Sequence, residues 1–119
     1  DAQAEKDISA YIEKAKALRG PRLILALAPC PTGWDFDPAE AARIGKLAVD
    51  TGVWPLKEYF DGRVNFTKAP KKRLPVEEYL KAQGRFAHLF HPARNETLLA
   101  GMQALVDAAW REAESQGLP

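Results

Sequence analysis

The sequence contains a single cysteine, Cys30, and two histidines, His88 and His91, among its 119 residues. One cysteine cannot form an internal disulfide, and a chain without a disulfide pattern is typical of a reducing compartment, so we expect a cytoplasmic protein. A structural zinc or an iron–sulfur cluster takes four ligands, most of them cysteine thiolates. Because the histidines also lie far from Cys30 in sequence, we expect no metal site that this chain could complete alone.

The sequence also has no large excess of either charge and no long apolar run. Lysine and arginine number 17 against 16 aspartates and glutamates, a net charge of +1, so no overall field favours nucleic acid or an anionic membrane. No apolar run approaches the roughly 20 residues that cross a bilayer, and the opening DAQAEKD lacks the pattern of a targeting segment. We therefore expect neither nucleic-acid nor membrane binding. The start without methionine suggests part of a longer chain.

The composition, with 46% hydrophobic and 28% charged residues, is typical of one globular domain. Apolar residues recur every three or four positions over residues 7–18, which predicts an amphipathic helix. Residues 23–28 are continuously apolar, which is typical of a strand covered on both faces in a parallel sheet. Asp37 and Pro38 then predict the start of a helix, and Gly52 predicts its end. A second extended run follows, so we expect a right-handed β-α-β crossover and an α/β fold with a mainly parallel sheet.

The second half of the chain carries signals for a hairpin and two helices. Asp61 and Gly62 stand between two runs of strand character, which predicts a type I′ hairpin turn. Residues 68–75, KAPKKRLP, are basic and bracketed by prolines that stop a helix, which predicts an extended surface arm. A short helix is predicted over residues 76–82. A long helix is predicted over residues 96–114, after an asparagine cap, with its apolar stripe packed in the core.

We expect these elements to form one domain over residues 1–119. Residues 7–67 would be its α/β core segment, residues 68–95 the extended basic arm with a short helix, and residues 96–116 the C-terminal helix. A basic run of this kind is most often a solvated surface, and contact with an acidic partner surface is the alternative.

The residues alone leave three interpretations of Cys30 open. A lone cysteine after an apolar run is commonly a small buried residue, but the end of a parallel strand also suits a nucleophile or a ligand. No histidine lies nearby in sequence to activate the thiol, and the next predicted helix starts several residues later. Pro29 and Pro31 restrict the backbone on both sides, and Gly33 permits a conformation that other residues avoid. This rigid frame favours a side chain held at a fixed point over ordinary core packing.

Four other residues were candidates for a functional role. Arg85 and His88 in GRFAHLF could bind an anion, although packing or capping at a helix edge is the simpler interpretation. Trp34 and Trp54 are interpreted as packing anchors rather than stacking platforms. The sequence has no glycine-rich phosphate loop, no GDG metal–diphosphate motif and no spacing that supports a Ser-His-Asp triad.

The order of several motifs nevertheless resembles one family. The segments are LAPCPTGW, IGKLAVDTGVWPLKEY, KAPKKRLPVEEYLKAQGRF and HLF, separated by a helix and a hairpin. In this order and spacing, from about Gly20 to Phe90, they resemble the C-terminal portion of the β subunit of pyruvate:ferredoxin oxidoreductase and related 2-oxoacid oxidoreductases.

The resemblance implies a cofactor set and a role for Cys30. These enzymes use thiamine diphosphate with Mg²⁺ to decarboxylate a 2-oxoacid, transfer the acyl group to coenzyme A, and pass electrons through iron–sulfur clusters to ferredoxin or another acceptor. Cys30 matches the fourth cysteine ligand of the four-iron four-sulfur cluster near the thiamine, and the other three ligands lie outside this chain. Thr32 and the amide of Gly33 are the nearest candidate hydrogen-bond donors around the sulfur.

The same resemblance implies that these 119 residues form part of a β subunit that works beside other subunits, of α, γ and δ type, and has no catalytic activity alone. The substrate would be pyruvate or a relative such as a branched-chain 2-oxoacid or phenylglyoxylate, and the basic arm would contact a neighbouring subunit. The alternative is a small independent α/β domain, either a thiol enzyme or an interaction module, in which Cys30 is reactive or buried.

Overall fold

The computed structural model describes the backbone of residues 2–116 and the side chains from residue 5 to residue 116. It contains five α-helices and two strands within this range, joined by two short 3₁₀ segments. In chain order these are α1 Ala2–Lys16, α2 Pro31–Trp34, the 3₁₀ segment Pro38–Glu40, α3 Ala41–Asp50, β1 Leu56–Phe60, β2 Arg63–Lys68, α4 Val76–Lys81, the 3₁₀ segment Gly84–Leu89 and α5 Glu96–Ser115.

The helix boundaries follow the capping signals of the sequence. The Asp37 carboxylate accepts a hydrogen bond from the Ala39 amide at 2.9 Å, so the 3₁₀ segment leads directly into α3. After α3 the chain reverses at Gly52, whose φ of +79° glycine adopts at little cost. The Asn95 side chain accepts from the Leu98 amide at 3.1 Å and caps α5. The predicted starts of both helices are confirmed.

The hairpin also forms where it was predicted. β1 and β2 pair antiparallel, and Asp61 and Gly62 both have positive φ, of 49° and 74°. Positive φ at both central residues is what a type I′ turn requires. Val64 and Phe66 are half-buried, while their neighbours on β2 are exposed.

The mixed α/β class is confirmed, but the parallel sheet is not formed among residues 2–116, where the β1–β2 hairpin is the one sheet. Residues 21–30 have no helix or strand, and Leu23 and Leu25 are 81% and 72% exposed. A strand needs a neighbour to receive its backbone hydrogen bonds, and in the described part of the chain β1 and β2 pair only with each other. The first residues of the apolar run therefore have the composition of a buried strand without the neighbours that would bury them, whereas Leu27 is half-buried against the core.

The amphipathic first helix is confirmed as a helix, but its apolar stripe is not buried in the described structure. Ile8 and Ile12 are 55% and 44% exposed. An ion pair between Lys14 and Glu58 connects the helix to β1. Surface ion pairs contribute little to stability, so this pair adds little to the attachment of α1 to the hairpin.

The core lies between α3, α4, α5 and the second 3₁₀ segment. Its buried members are Ile44, Ala48, Val76, Tyr79, Leu80, Leu89 and Leu99. Only part of the predicted apolar stripe of α5 belongs to it. Leu99 is buried in it and Met102 and Val106 are half-buried against it, whereas Trp110 is buried outside this cluster and Leu105 is 73% exposed.

Trp110 connects α5 to three other parts of the chain. Its indole Nε1 donates a hydrogen bond to the Gly52 carbonyl at 2.9 Å, and its ring lies 4.9 Å from the Phe66 ring on β2. The Arg73 guanidinium lies 5.1 Å from the indole centroid, within the range of a cation–π contact. Trp110 thus holds together the end of α3, the hairpin, the basic segment and α5.

The basic segment 68–75 begins with Lys68, the last residue of β2, and has neither helix nor strand after it, but one of its cations faces inward. Arg73 is half-buried against Trp110 and pairs with Glu114 at 3.5 Å and with Asp107 at 3.9 Å. Lys68, Lys71 and Lys72 are exposed. The charge available at the surface of this segment is therefore carried by these three lysines.

The contact between Gly52 and Trp110 generates a prediction with a matched control. A Cβ at Gly52 would overlap Trp110 Nε1 and lie 2.8 Å from Arg73 Cδ, whereas a Cβ at Gly62, with φ of +74°, meets nothing within 4 Å. We expect Gly62→Ala to lower the free energy of unfolding by about 1–2 kcal/mol through backbone strain. Gly52→Ala should lose about 1–3 kcal/mol more through overpacking.

Urea denaturation of the two variants beside the parent chain measures both losses. Equal losses would mean that the close approach to Trp110 contributes nothing beyond backbone strain.

Candidate functional site

Cys30 opens the short helix α2 and has its side chain on the surface. It is the N-terminal cap of Pro31–Trp34, with an extended backbone of φ −104° and ψ 108°, and Pro31 occupies the first helical position. Its carbonyl accepts the Trp34 amide at 2.9 Å. The thiol is exposed, so the interpretation of Cys30 as a buried core residue is wrong.

The Gly33 amide points at the sulfur. It donates to Cys30 Sγ at 3.4 Å, within the range of hydrogen bonds to sulfur. A Cβ on Gly33 would lie 3.4 Å from the same sulfur, so glycine leaves this side of the thiol more open than any other residue would. An amide hydrogen directed at a sulfur stabilises negative charge on it, which suits a thiolate.

Thr32 is exposed and belongs to the same turn. Among the hydrogen bonds of the described residues, none joins its hydroxyl to Cys30 Sγ. The structure therefore brings the Gly33 amide to the sulfur and forms no such hydrogen bond from Thr32. The roles of both residues around a cluster remain predictions.

The turn that carries Cys30 is fixed from behind by the second 3₁₀ segment. The Gly84 amide donates to the Asp35 carbonyl at 2.7 Å, and a Cβ at Gly84 would lie 2.8 Å from that oxygen and overlap the Asp35 side chain. Asp35 itself has a φ of 56°. Because any side chain at position 84 would force the two segments apart, this approach requires glycine.

Arg85 packs on the same turn. Its guanidinium carbon lies 4.2 Å from the centroid of the Trp34 ring, and its Nε donates to Gln83 Oε1 at 2.9 Å. The Trp34 ring meets Tyr79 of α4 edge-on, with centroids 6.5 Å apart. Trp34 is thus a packing anchor, as predicted, and Arg85 has the packing role that was the simpler of its two interpretations.

The residues near Cys30 include no base in contact with the thiol. No side-chain base is hydrogen-bonded to Cys30 Sγ in the described structure, where its partner is the Gly33 amide. His88 and His91 are exposed. Within residues 2–116 no group of three or more histidine, cysteine, aspartate or glutamate side chains is arranged to hold a metal ion. As a possible metal ligand, Cys30 therefore depends on groups outside the described residues.

The strongest electrostatic perturbation lies away from this turn. Arg94 forms hydrogen-bonded ion pairs with Glu77 at the start of α4 and with Glu96 at the start of α5. The hydrogen bonds from Arg94 hold the pKa of the Glu77 carboxyl below its usual value, and the pKa of Arg94 is raised in return. This network joins two helix starts and leaves Cys30 untouched.

The sequence gives no signal that Gly84 shapes the site. Its partner Asp35 lies almost fifty positions earlier, and no local pattern connects the two. Its neighbourhood, GRF, was noticed for the charge of Arg85.

Most of the chain is similar to subunits of 2-oxoacid oxidoreductases. The chain is 45% identical over 107 residues to pyruvate synthase subunit PorB of Methanothermobacter thermautotrophicus, which covers 90% of this chain and 35% of that protein. It is 43% identical over 102 residues to subunit PorB of Methanosarcina barkeri, covering 86% and 34%. Ketoisovalerate oxidoreductase subunit VorB of Pyrococcus furiosus is 40% identical over 86 residues, covering 71% and 28%.

The chain therefore spans about a third of the length of the curated relatives it matches. No family model matches it. Among the described residues, no helix has the length and apolar character needed to span a bilayer.

The exposed thiol of Cys30 gives a direct prediction. A water-soluble thiol reagent should react with one equivalent in the folded chain, the same number as in denaturant, because the sulfur is at the surface.

A thiol that reacts only after unfolding would contradict the observed exposure. Alkylation much faster than that of free cysteine would favour the thiol-enzyme alternative instead. Cys30 is the only cysteine, so the Cys30→Ala variant supplies the blank for both measurements.

Proposed function

This chain belongs to the family of 2-oxoacid oxidoreductase β subunits, and on that premise we propose that it supplies Cys30 as one thiolate ligand of a four-iron four-sulfur cluster in the complete subunit. The observation that carries the proposal is the presentation of Cys30, an exposed sulfur on a proline-framed turn with an amide hydrogen directed at it. The other three ligands come from outside these 119 residues, because the chain has no second cysteine.

The chemistry of the donor suits this group. Iron–sulfur clusters are held by cysteine thiolates and tuned by hydrogen bonds to sulfur. The Gly33 amide supplies one such hydrogen bond, and the missing side chain at Gly33 leaves room beside the sulfur. Pro31 at the first position of α2 fixes the backbone that carries the thiol. A ligand contributed from a distant part of the sequence needs this rigidity, since it must meet the other three at one point.

For the complete protein we propose the oxidative decarboxylation of a 2-oxoacid. The 2-oxoacid and coenzyme A give the acyl thioester, carbon dioxide, one proton and two electrons, and the electrons pass to ferredoxin or another acceptor. Thiamine diphosphate with Mg²⁺ supplies the carbanion chemistry of decarboxylation when bound. The part of this chain in that reaction is to hold one iron of the cluster that accepts the electrons, so the chain alone should catalyse nothing.

Pyruvate is the substrate we propose first. The relatives with 43–45% identity over most of this chain are named for pyruvate, while those named for ketoisovalerate match at 40% over a shorter segment. A branched-chain 2-oxoacid or phenylglyoxylate is the second choice. The protein would work in the cytoplasm, in a complex with the other subunits of the enzyme.

Loss of the thiol tests the ligand assignment. In the complete complex, Cys30→Ala should lose the iron of one four-iron cluster and with it electron transfer to the acceptor, while the subunits still assemble. Thr32→Ala alters the same turn without removing the sulfur and should keep its iron. Iron and acid-labile sulfide analysis of the purified complexes measures both, and a Cys30→Ala complex with its full iron content would refute the assignment.

The exposed lysines of the basic segment test a subunit contact. We propose that Lys71 and Lys72 face an acidic surface of a neighbouring subunit, since Arg73 is already occupied by Trp110 and its carboxylate partners. Reversing both lysines to glutamate should weaken assembly most at low ionic strength, because salt screens exposed charges.

Lys57→Glu with Arg63→Glu makes the same change in charge on the exposed hairpin and serves as the control. Assembly can be measured by sedimentation velocity at several salt concentrations. Equal behaviour of the two double variants would remove the proposed contact.

A further inference from the structure

We infer that Gly84 and Arg85 are positioning residues for Cys30, so that the GRF segment holds the cluster ligand in place through the turn that carries it. The inference rests on the proposed role of Cys30 as a ligand. Neither residue contacts the sulfur in the structure, and each acts through Asp35 or Trp34.

Gly84 sets the distance between the two segments. Its amide hydrogen bond to the Asp35 carbonyl, at 2.7 Å, brings two backbones into direct contact. Since a Cβ at position 84 would come within 2.8 Å of that carbonyl oxygen, any other residue moves the Cys30 turn outward or rotates it. A displacement of the Cys30 turn would also displace the sulfur, and ligand distances at a metal site are fixed within about 0.2 Å.

Arg85 sets the orientation. Its guanidinium covers the Trp34 ring at 4.2 Å, while its Nε is held by the Oε1 of Gln83. Gln83 is 1% exposed, and its Nε2 donates to the Tyr79 carbonyl at 2.6 Å on α4. The cation over Trp34 is thus anchored to the core through a buried amide, which gives it a fixed position that a free surface arginine would not have.

Two hydrogen bonds carry this constraint from Trp34 back to Cys30. The Trp34 amide donates to the Cys30 carbonyl at 2.9 Å, and the Phe36 amide donates to the Pro31 carbonyl at 3.2 Å. α2 is a single turn, so a shift of the Trp34 ring rotates the turn and changes the direction of the sulfur. The Gly33 hydrogen bond to Sγ belongs to the same turn and would move with it.

The test uses the complete complex and a readout that follows the iron rather than the turnover. A four-iron cluster whose fourth ligand is misplaced loses one iron on mild oxidation and leaves a three-iron cluster, which is detected by electron paramagnetic resonance. We expect Arg85→Gln to increase the rate of this conversion by roughly tenfold or more, the scale of outer-shell effects at metal sites. Arg85→Lys keeps a cation for the Trp34 ring and should restore part of the loss.

Arg94→Gln is the matched control. Like Arg85→Gln, this variant removes one arginine charge. Arg94 makes more ion pairs than Arg85, and its partners are Glu77 and Glu96. A loss of general stability would therefore affect this variant at least as much, whereas a loss of ligand position would not. Gly84→Ala is a second variant on the other contact, and the Arg85 series still decides the question if that variant does not fold.

The outcomes separate the inference from the proposed function. If Cys30→Ala loses its cluster iron but Arg85→Gln and Arg94→Gln convert at the same rate as the parent, Cys30 remains a ligand and the positioning role is overturned. If Cys30→Ala keeps its full iron content, the ligand role fails and this inference fails with it. If Arg85→Gln converts faster, Arg94→Gln does not, and Arg85→Lys recovers part of the loss, the result supports both the ligand role of Cys30 and the positioning role of Arg85.

Discussion

The approach of Gly84 to Asp35 is the contact on which the surroundings of Cys30 depend. The turn 30–36 has little core of its own: Trp34 and Phe36 are half-buried, and the thiol lies outside. Its position comes from one short backbone hydrogen bond and from the Trp34 ring, held between Arg85 and Tyr79. A surface turn fixed in this way from a core element can present a side chain with the rigidity of the core while the side chain itself stays accessible.

The core supplies the packing of the chain, and the turn 30–36 presents Cys30 at the surface. α3, α4 and α5 bury Ile44, Leu80 and Leu99 against one another and supply most of the packing. Trp110 extends that packing to the hairpin and the basic segment. Arg73 in that segment already contacts the Trp110 ring. The thiol of Cys30 and the exposed lysines of the basic segment lie in different parts of the chain, so a change to one region leaves the other in place.

The sequence allowed correct prediction of what depends on neighbouring residues. The caps at Asp37 and Asn95 and the turn at Asp61-Gly62 each need only a few consecutive side chains, and all three formed as expected. The contact between Gly84 and Asp35 could not be found this way, because it depends on how α4 and the following 3₁₀ segment fold back on the chain. The exposure of Cys30 could not be predicted from neighbouring residues either. The rigid frame was visible in the prolines, whereas the direction of the sulfur required the whole turn.

The exposed residues Leu23, Ile24 and Leu25 have a consequence for self-association of the chain. Leu23, Ile24 and Leu25 are all more than half exposed in a segment with no helix or strand. A short apolar segment of strand-forming residues with unpaired backbone is the common template for edge-to-edge aggregation. Pro21 and Pro29 stand at its two ends and cannot donate backbone hydrogen bonds, so they limit how far such pairing can spread along the chain. Only the residues between the two prolines are therefore available for such pairing.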